Sequence, residues 1–327
     1  MKKKLRMLAD LLVLAVLMAL GVLGLGGLLR PVDTDSPVNA IHTFHRMPEN
    51  SLEVIGYGSS HMWMGLDPME LYREYGIGAY NYGCNWQALN TTLLFLKDSL
   101  RTQNPKVVVV DTFHVNEMKL DMDMDGEIYY TRAIPWFSEK LPYLRQCFGA
   151  RPERYLSYAL PLVSFHGNWE NLTKESFRSP LKSGDNYYRT MGFAPTDVAV
   201  PVTVPEQNPE QQLPLYEGTW ALLEELVEVC RERDIAVVFC TIPWEGQNQY
   251  SEAMTTFALE HDCPYLNLFD HIEEIGLDGE TDFMDSGHLN TSGAQKIARY
   301  LGAYLRENYA LTDFRESPGN LWDRAEQ

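Results

Sequence analysis

A serine, a histidine and an aspartate stand in two distant parts of the chain, and each lies beside a predicted turn. Ser60 belongs to the segment GSSH at 58–61, which follows an apolar run, and Asp285 and His288 lie three residues apart before the last predicted helix. A serine hydroxyl is a weak nucleophile until a base takes its proton, and a histidine oriented by a carboxylate is the usual base. Asp285 and His288 alone would be better explained as part of a helix start, so the prediction of acyl-transfer chemistry depends on Ser60.

Alternating strands and helices position these residues. Short apolar runs predict buried strands at 52–58, 79–83, 106–113, 235–243 and 264–268, and amphipathic segments predict helices at 67–76, 85–101, 217–233, 248–262 and 291–308. Such alternation predicts an α/β fold with a parallel sheet, in which ligands bind at the carboxyl ends of the strands. Ser60 lies at one of those ends.

Three stretches lack this alternation. Residues 31–50 are rich in Pro, Asp, Asn and His and are typical of a linker. Residues 114–215 predict an insertion of several short helices within one domain that spans residues 51–310. The polar tail, residues 311–327, is expected to fray.

The first thirty residues differ in kind from the rest. Four basic residues lie within 2–6, and residues 11–29 carry no charge, so the segment 7–29 is long enough to cross a bilayer as a helix. The basic flank predicts that residues 1–30 form a cytoplasmic stub and a single-pass anchor in the cell membrane, with the domain extracytoplasmic. A cleaved signal peptide is the alternative, with a weak cleavage site at 19–21. A buried core helix would show a polar face, and this segment has none.

Charge and cysteine content exclude other classes of partner and site. Residues 1–30 hold five of the 27 Lys and Arg and one of the 45 Asp and Glu, so the remainder carries a net charge of −22. Such a surface disfavours nucleic acid and anionic lipid surfaces. The five cysteines have no CxxC spacing, which argues against a zinc site or a disulfide framework. The acidic segment 121–127 begins like a calcium loop, but Arg132 stands where that loop needs a glutamate. No metal is therefore predicted.

Three short blocks of the sequence resemble motifs of the SGNH/GDSL hydrolase superfamily. Residues 58–60 match its Gly-Asp-Ser block, residues 81–83 its Asn-x-Gly block, and residues 285–288 its Asp-x-x-His block. The resemblance implies a flavodoxin-like, three-layer fold with a central parallel sheet and no cofactor. It also implies that Ser60 is the nucleophile, His288 the base and Asp285 its orienting carboxylate, with the N–H groups of Ser60 and Gly83 forming the oxyanion hole.

One block departs from the superfamily's pattern. The Gly-x-Asn-Asp expected after the third strand is replaced by VVVVDTFHVNE at 107–117, in which Asn116 does not fit the motif. The serine before the nucleophile, the anchor and the large insertion resemble the DltD and alginate-acetylation relatives. In those proteins an anchored extracytoplasmic domain acts on acyl groups of cell-envelope or secreted glycans, often beside a multi-spanning membrane O-acyltransferase. The resemblance thus implies an esterase or O-acyltransferase whose partners are an acylated glycan or acyl donor and such a membrane enzyme.

Three further side chains near predicted strand ends are hypotheses for substrate binding, namely His61, His114 and Trp244. Packing is the simpler interpretation of each. For the whole chain, the competing hypothesis is a catalytically silent SGNH-fold subunit that binds a glycan or a membrane-bound O-acyltransferase. An intact set of Ser60, His288 and Asp285 argues against that hypothesis, because a binding module does not need all three.

Overall fold

The computed structural model describes residues 2–30, 37–117, 127–178, 186–204 and 206–326. Five strands are found within these residues: β1 (Val54–Tyr57), β2 (Ala79–Asn81), β3 (Val107–Asp111), β4 (Ala236–Thr241) and β5 (Tyr265–Asn267). Each lies inside one of the predicted apolar runs. Residues 121–126 of the acidic segment lie outside the described residues.

The strands form one sheet in the order β2-β1-β3-β4-β5, and every neighbouring pair is parallel. Val54 pairs with Ala79 of β2 on one side and with Val107 of β3 on the other. This order is that of flavodoxin-like folds, in which the chain reverses direction across the sheet beside β1. The predicted α/β class with a central parallel sheet is confirmed.

Sixteen α-helices are present in the described residues. They are α1 (Lys2–Leu28), α2 (Pro37–Phe44), α3 (Ser60–Gly65), α4 (Pro68–Tyr75), α5 (Leu89–Ser99), α6 (Glu127–Ala133), α7 (Lys140–Phe148), α8 (Pro152–Ala159), α9 (Pro161–Phe165), α10 (Lys174–Arg178), α11 (Asn186–Arg189), α12 (Glu217–Arg231), α13 (Ser251–Glu260), α14 (Ile272–Ile275), α15 (Thr291–Asn308) and α16 (Leu321–Glu326). Short 3₁₀ turns occupy His166–Asn171, Pro209–Gln211, Leu268–His271 and Phe314–Glu316.

Helices cover both faces of the sheet and make a three-layer structure. Val108 and Val110 of β3 belong to the apolar core shared with α5 and α12. Val107 and Val109, which point to the opposite face, belong to the core shared with α4 and α15. All five residues of β3 are buried, as expected for a strand in the middle of a parallel sheet.

The segment predicted as a linker contains helix α2, most of which is buried. Phe44 stacks on Tyr82 with ring centroids 4.2 Å apart, and the Tyr80 hydroxyl donates to Ala40 O at 2.7 Å. The structure therefore differs from the expected irregular linker at 37–44. Helix α2 has only eight residues, and its buried residues include Pro37 and Asn39. The sequence therefore shows no regular spacing of apolar residues that would predict this helix.

The expectation of a frayed tail is wrong for α16. Leu321, Trp322 and Ala325 are buried, and Trp322 Nε1 donates to Ala79 O of the edge strand β2 at 3.2 Å. The same outer edge of β2 is engaged further along, where Asn81 N–H donates to Met191 O at 2.8 Å. The tail and the end of the insertion thus cover this edge of the sheet.

The insertion, as far as the structure describes it, consists of short helices α6 to α11 and connecting segments. Within it, residues 194–204 run beside the chain that leads into α15. Val200 N–H donates to Phe283 O and Thr291 N–H donates to Thr196 O, both at 2.9 Å. The insertion therefore supports the loop that carries Asp285 and His288.

Helix α1 lies at the N-terminus and is almost entirely exposed along its length. Its most apolar window has a mean hydropathy of 2.6, so the helix is long and apolar enough to cross a membrane. This agrees with the predicted anchor in length and composition.

Candidate active site

The turn after β1 places Ser60 at the start of a helix. Gly58 has φ +152°, and a Cβ at this position would lie 2.7 Å from the Cβ of Asp111, so no larger residue fits. Ser59 caps α3, because its hydroxyl accepts the His61 N–H at 3.3 Å. Ser60 is therefore the first residue of α3, at the carboxyl end of the sheet.

A tight loop before α15 holds the aspartate and the histidine. Phe283 and Leu289 form an isolated antiparallel bridge, and Met284 N–H donates to His288 O at 3.0 Å. Within the loop, Asp285 Oδ1 accepts the backbone N–H groups of Gly287 at 2.7 Å and His288 at 2.8 Å. The carboxylate is thereby fixed before it contacts the imidazole.

The structure brings Ser60, His288 and Asp285 into one hydrogen-bonded chain. His288 Nδ1 lies 2.9 Å from Asp285 Oδ1, and His288 Nε2 lies 2.8 Å from Ser60 Oγ. Partial burial works against ionisation of Asp285, but the hydrogen bonds from Gly287 and His288 outweigh it and hold the pKa of Asp285 below its ordinary value. An ionised carboxylate at Nδ1 favours the tautomer that leaves Nε2 able to accept the serine proton.

The two predicted oxyanion donors differ in their surroundings. Ser60 N–H lies in the first turn of α3 and donates to no acceptor within the described residues. Gly83 N–H instead donates to Asn81 Oδ1 at 3.1 Å. Asn81 is buried, and its Nδ2 donates to Met62 O at 2.7 Å and Leu66 O at 2.8 Å. Asn81 thus ties β2 to α3, and the structure presents one of the two predicted donors with its N–H already paired.

The end of β3 carries an aspartate where the superfamily has its asparagine block. Asp111 is buried, and the Ser59 hydroxyl donates to its Oδ2 at 3.4 Å. Burial raises the pKa of Asp111 to about 7, even though His114 and hydrogen bonds act in the opposite direction. Asn116 points elsewhere, because its side chain bonds Pro214 O at 3.1 Å and Tyr216 N–H at 2.9 Å. Asp111 was not predicted as a site residue from the sequence, in which its position at the end of the third strand was the available indication.

Aromatic rings stand beside the serine and histidine. His61 stacks on Phe113 with centroids 3.5 Å apart and lies 5.4 Å from the His288 ring. Trp244 packs edge-on against Phe113 at 4.8 Å. Burial lowers the pKa of His61 well below its usual range, and His288 and His114 add to this effect, so His61 is neutral at pH 7. His61 and Trp244 thus adjoin the site, and the imidazole of His61 acts there as an uncharged packing group.

His114 packs edge-on against Phe113, with ring centroids 4.5 Å apart. Its Nδ1 is 2.8 Å from Glu117 Oε1, and its ring is 5.4 Å from Trp86. Trp86 is 61% exposed and has φ +55°, which is uncommon for a bulky residue. Trp86 was not predicted as a site residue from the sequence, although it stands three residues after Gly83 in the loop that follows β2.

Comparison with known proteins adds little to this geometry. No protein-family model matches the chain, and no curated protein matches it. One solved structure, of a proposed acylhydrolase from Bacteroides fragilis, is similar over 85% of this chain and 99% of its own, with 9% sequence identity and a TM-score of 0.39. A likeness of that degree carries no argument about substrate or mechanism.

Proposed function

We propose that the protein is a membrane-anchored serine esterase or O-acyltransferase of the SGNH type, with Ser60 as nucleophile. The observation that supports this most directly is the 2.8 Å contact between His288 Nε2 and Ser60 Oγ, with Asp285 on the opposite ring nitrogen at 2.9 Å. Both distances lie within the range needed for proton transfer by a positioned base.

In the proposed reaction, Ser60 Oγ attacks the carbonyl carbon of an acyl ester while His288 Nε2 takes the serine proton. His288 then returns this proton to the leaving alcohol oxygen, and an acyl-Ser60 ester remains. Water or a sugar hydroxyl then attacks the carbonyl carbon of that ester while His288 Nε2 takes its proton. His288 gives this proton to Ser60 Oγ as the bond between Oγ and the acyl carbon breaks, which releases the acid or the acylated sugar and restores Ser60. Asp285 keeps the imidazole oriented and stabilises its protonated form in both halves of the reaction.

The oxyanion of each tetrahedral intermediate is expected to receive the Ser60 N–H. A second donor from Gly83 requires Asn81 Oδ1 to release or share the N–H that it accepts at 3.1 Å. Loss of one donor from such a hole costs about 10² to 10³ in rate. We therefore expect slow hydrolysis of small aryl acetates.

The acyl group is proposed to belong to a cell-envelope or secreted glycan, and to be acetyl. This part of the proposal depends on the apolar helix α1, which would hold the domain at a membrane, and on the aromatic side chains beside the site. Trp244 and the exposed Trp86 are of the kind that stacks on sugar rings. A multi-spanning membrane O-acyltransferase would be the natural supplier of the acyl group.

Labelling with a fluorophosphonate probe tests the nucleophile, because the probe reacts with an activated serine. We expect labelling of the wild-type chain on the peptide that contains Ser60, and none in Ser60→Ala. The matched control is Ser59→Ala, which removes a neighbouring hydroxyl of the same turn and should keep most of the labelling. An unlabelled wild-type chain would favour the silent binding subunit, and an adduct on Ser59 would place the nucleophile one residue earlier.

Transfer is separated from hydrolysis by adding an acceptor. Release of the aryl alcohol from an aryl acetate, which both hydrolysis and transfer produce, is compared with and without a glycan that carries free hydroxyl groups. A bound acceptor hydroxyl is held beside the acyl-Ser60 ester and should therefore react with it faster than water does. Total turnover should then rise, and acylated glycan should form. Fast hydrolysis that no acceptor changes would make the protein a plain esterase.

Anchoring is tested by fractionation. The full chain should sediment with membranes, and removal of residues 1–30 should release the domain into the soluble fraction. An amino-terminal sequence that begins near Val22 would show that the segment is cleaved instead.

A further inference from the structure

The anchor helix makes direct contact with one part of the insertion. Gly26 is buried, and a Cβ there would lie 2.8 Å from Leu162 N and 3.2 Å from Pro161 Cβ. One turn further along, Leu29 O accepts a hydrogen bond from Asn168 Nδ2 at 2.9 Å. Helix α9 and the 3₁₀ turn at His166–Asn171 are therefore held against the last turn of α1.

That contact fixes the height of these segments if α1 spans a bilayer. The apolar run ends at Leu29, and Arg30 is the first charged residue after it. A helix rises about 1.5 Å per residue, so Gly26 lies within about 5 Å of the end of the run. Segments that contact Gly26 and Leu29 must then lie at the level of the lipid headgroups.

Apolar side chains are exposed on the segments so placed. Trp169 follows Asn168 and is 63% exposed, and Val163 follows Leu162 and is 38% exposed. Leu156 on α8 is 53% exposed. Tryptophan is enriched at the boundary between hydrocarbon and water, where its ring is buried and its N–H stays hydrated.

Leu156 and Val163 are held close to each other by a hydrogen bond between their neighbours. Ser164 Oγ, next to Val163, donates to Ser157 O, next to Leu156, at 2.9 Å. The anchor-proximal face consists of three exposed residues, Leu156, Val163 and Trp169.

The charge of this region differs from that of the rest of the domain. Residues 140–178 contain six Lys or Arg and three Asp or Glu, a net of +3, whereas the other residues of 31–327 contain 16 and 41, a net of −25. Arg145 and Lys174 are exposed within the stretch. The overall acidity that disfavours an anionic lipid surface therefore does not apply here, and basic residues beside an apolar face are attracted to lipid headgroups.

We infer that the anchor-proximal face lies in the headgroup region of the bilayer, so that the domain rests on the membrane through α8, α9 and the following turn. This inference rests on the membrane anchoring in the proposed function, but not on its catalytic part. A lipid surface is favoured as the occupant over a second protein, because the contacts of α9 with Gly26 and of Asn168 with Leu29 bring the face to the membrane without any partner.

The inference is tested by spin labelling of the full chain in vesicles of phosphatidylcholine and phosphatidylglycerol that contain no other protein. Single cysteines replace Val163 or Trp169 in a background that carries Cys263→Ser, since the other four native cysteines are buried. Leu259→Cys is the matched control, because Leu259 is an apolar residue that is 79% exposed and lies on α13, outside α8, α9 and the turn at His166–Asn171. Collision of the label with oxygen, which concentrates in lipid, is compared with collision with a water-soluble nickel chelate.

We expect nickel collision at positions 163 and 169 to be several-fold lower than at 259, with oxygen collision higher. Equal nickel access at all three positions, in chains that float with the vesicles, would overturn the inference and leave the anchor intact. Protection that occurs in native membranes but not in these vesicles would also overturn it, because a membrane protein would then cover the face. A chain that does not float with the vesicles would refute the anchor itself, and with it this inference.

Discussion

Replacing Asp111 by asparagine is expected to make the domain's stability less sensitive to pH. Asp111 is buried below the nucleophile turn, and its pKa is raised from an ordinary value of 3.8 to about 7. The amide in Asp111→Asn would keep the shape of the side chain and an oxygen that can accept the Ser59 hydroxyl, but it cannot ionise. The variant therefore isolates the charge from the packing.

The magnitude follows from the shift in pKa. Because the folded-state pKa is raised, the protonated carboxyl favours the folded state, and that contribution is lost as the pH rises toward the folded pKa. A shift of about three units corresponds to about 4 kcal/mol in total. Between about pH 5 and about pH 8, the wild type should lose about 2 to 3 kcal/mol of unfolding free energy through this one group. Asp111→Asn should not show this loss, because its amide does not ionise.

Guanidinium unfolding of the full chain in detergent micelles, followed by near-ultraviolet circular dichroism, measures this difference. The free energy of unfolding of the wild type minus that of Asp111→Asn should fall steadily from the acidic to the alkaline end of the range. A difference that stays constant would mean that the Asp111 carboxylate is ionised in the folded domain throughout. That constant difference would refute the reasoning from burial.

Three further outcomes are expected. Ser60→Ala should lower acyl turnover by about 10⁶ while leaving the circular dichroism spectrum unchanged, and Ser59→Ala should retain most of the turnover, both measured with an aryl acetate. Asp285→Asn should lower hydrolysis and transfer together by about 10² to 10⁴, because it favours the wrong tautomer of His288; a variant that loses only one of the two activities would contradict the shared base. Trp322→Ala should destabilise the domain by about 3 to 5 kcal/mol in denaturant unfolding, since the ring is buried, and an effect below about 1 kcal/mol would show that the tail is not part of the core.

Elements with strong local signals were predictable from the sequence. Helix α4 begins after Asp67, whose Oδ1 accepts Met69 N–H at 2.9 Å, and ends at Gly76, which has φ +65°. Both residues are of the types that cap helices, and the predicted range 67–76 includes both caps. The valine-rich β3 was predictable for a similar reason, since a short run of β-branched residues bounded by polar ones favours a buried strand.

Short elements and pairings between distant residues were not predictable in the same way. Helix α16 has only six residues, so it completes fewer than two turns, and its burial depends on where β2 lies in space. The hydrogen bond from Gly83 N–H to Asn81 Oδ1 is local in sequence, but it depends on Asn81 being held by Met62 O of α3 and by Leu66 O just after this helix. The motif Asn-x-Gly therefore predicts that the two residues are close, but not which acceptor takes the N–H.

The position of Asp285 and His288 was partly predictable. Their spacing predicts a turn in which the Asp285 carboxylate can reach the His288 ring. In the structure, Asp285 Oδ1 stabilises this turn by accepting the N–H groups of Gly287 and His288. Their distance from Ser60 depends on the sheet order, because only a parallel sheet brings the end of β1 to the same side as the start of α15. No local pattern contains that information.

The coverage of β2 by the tail has a consequence for the solution behaviour of the protein. A bare edge strand offers unpaired N–H and C=O groups to the same strand of another molecule, and so invites self-association. Here the outward-facing Ala79 O is taken by Trp322 Nε1 and the outward-facing Asn81 N–H by Met191 O. Helix α16 thus helps to prevent this edge from pairing with another molecule, and this protection is complete only after the ribosome has synthesised α16. Until then, a nascent chain with its sheet formed would lack the Trp322 donor to Ala79 O on the β2 edge.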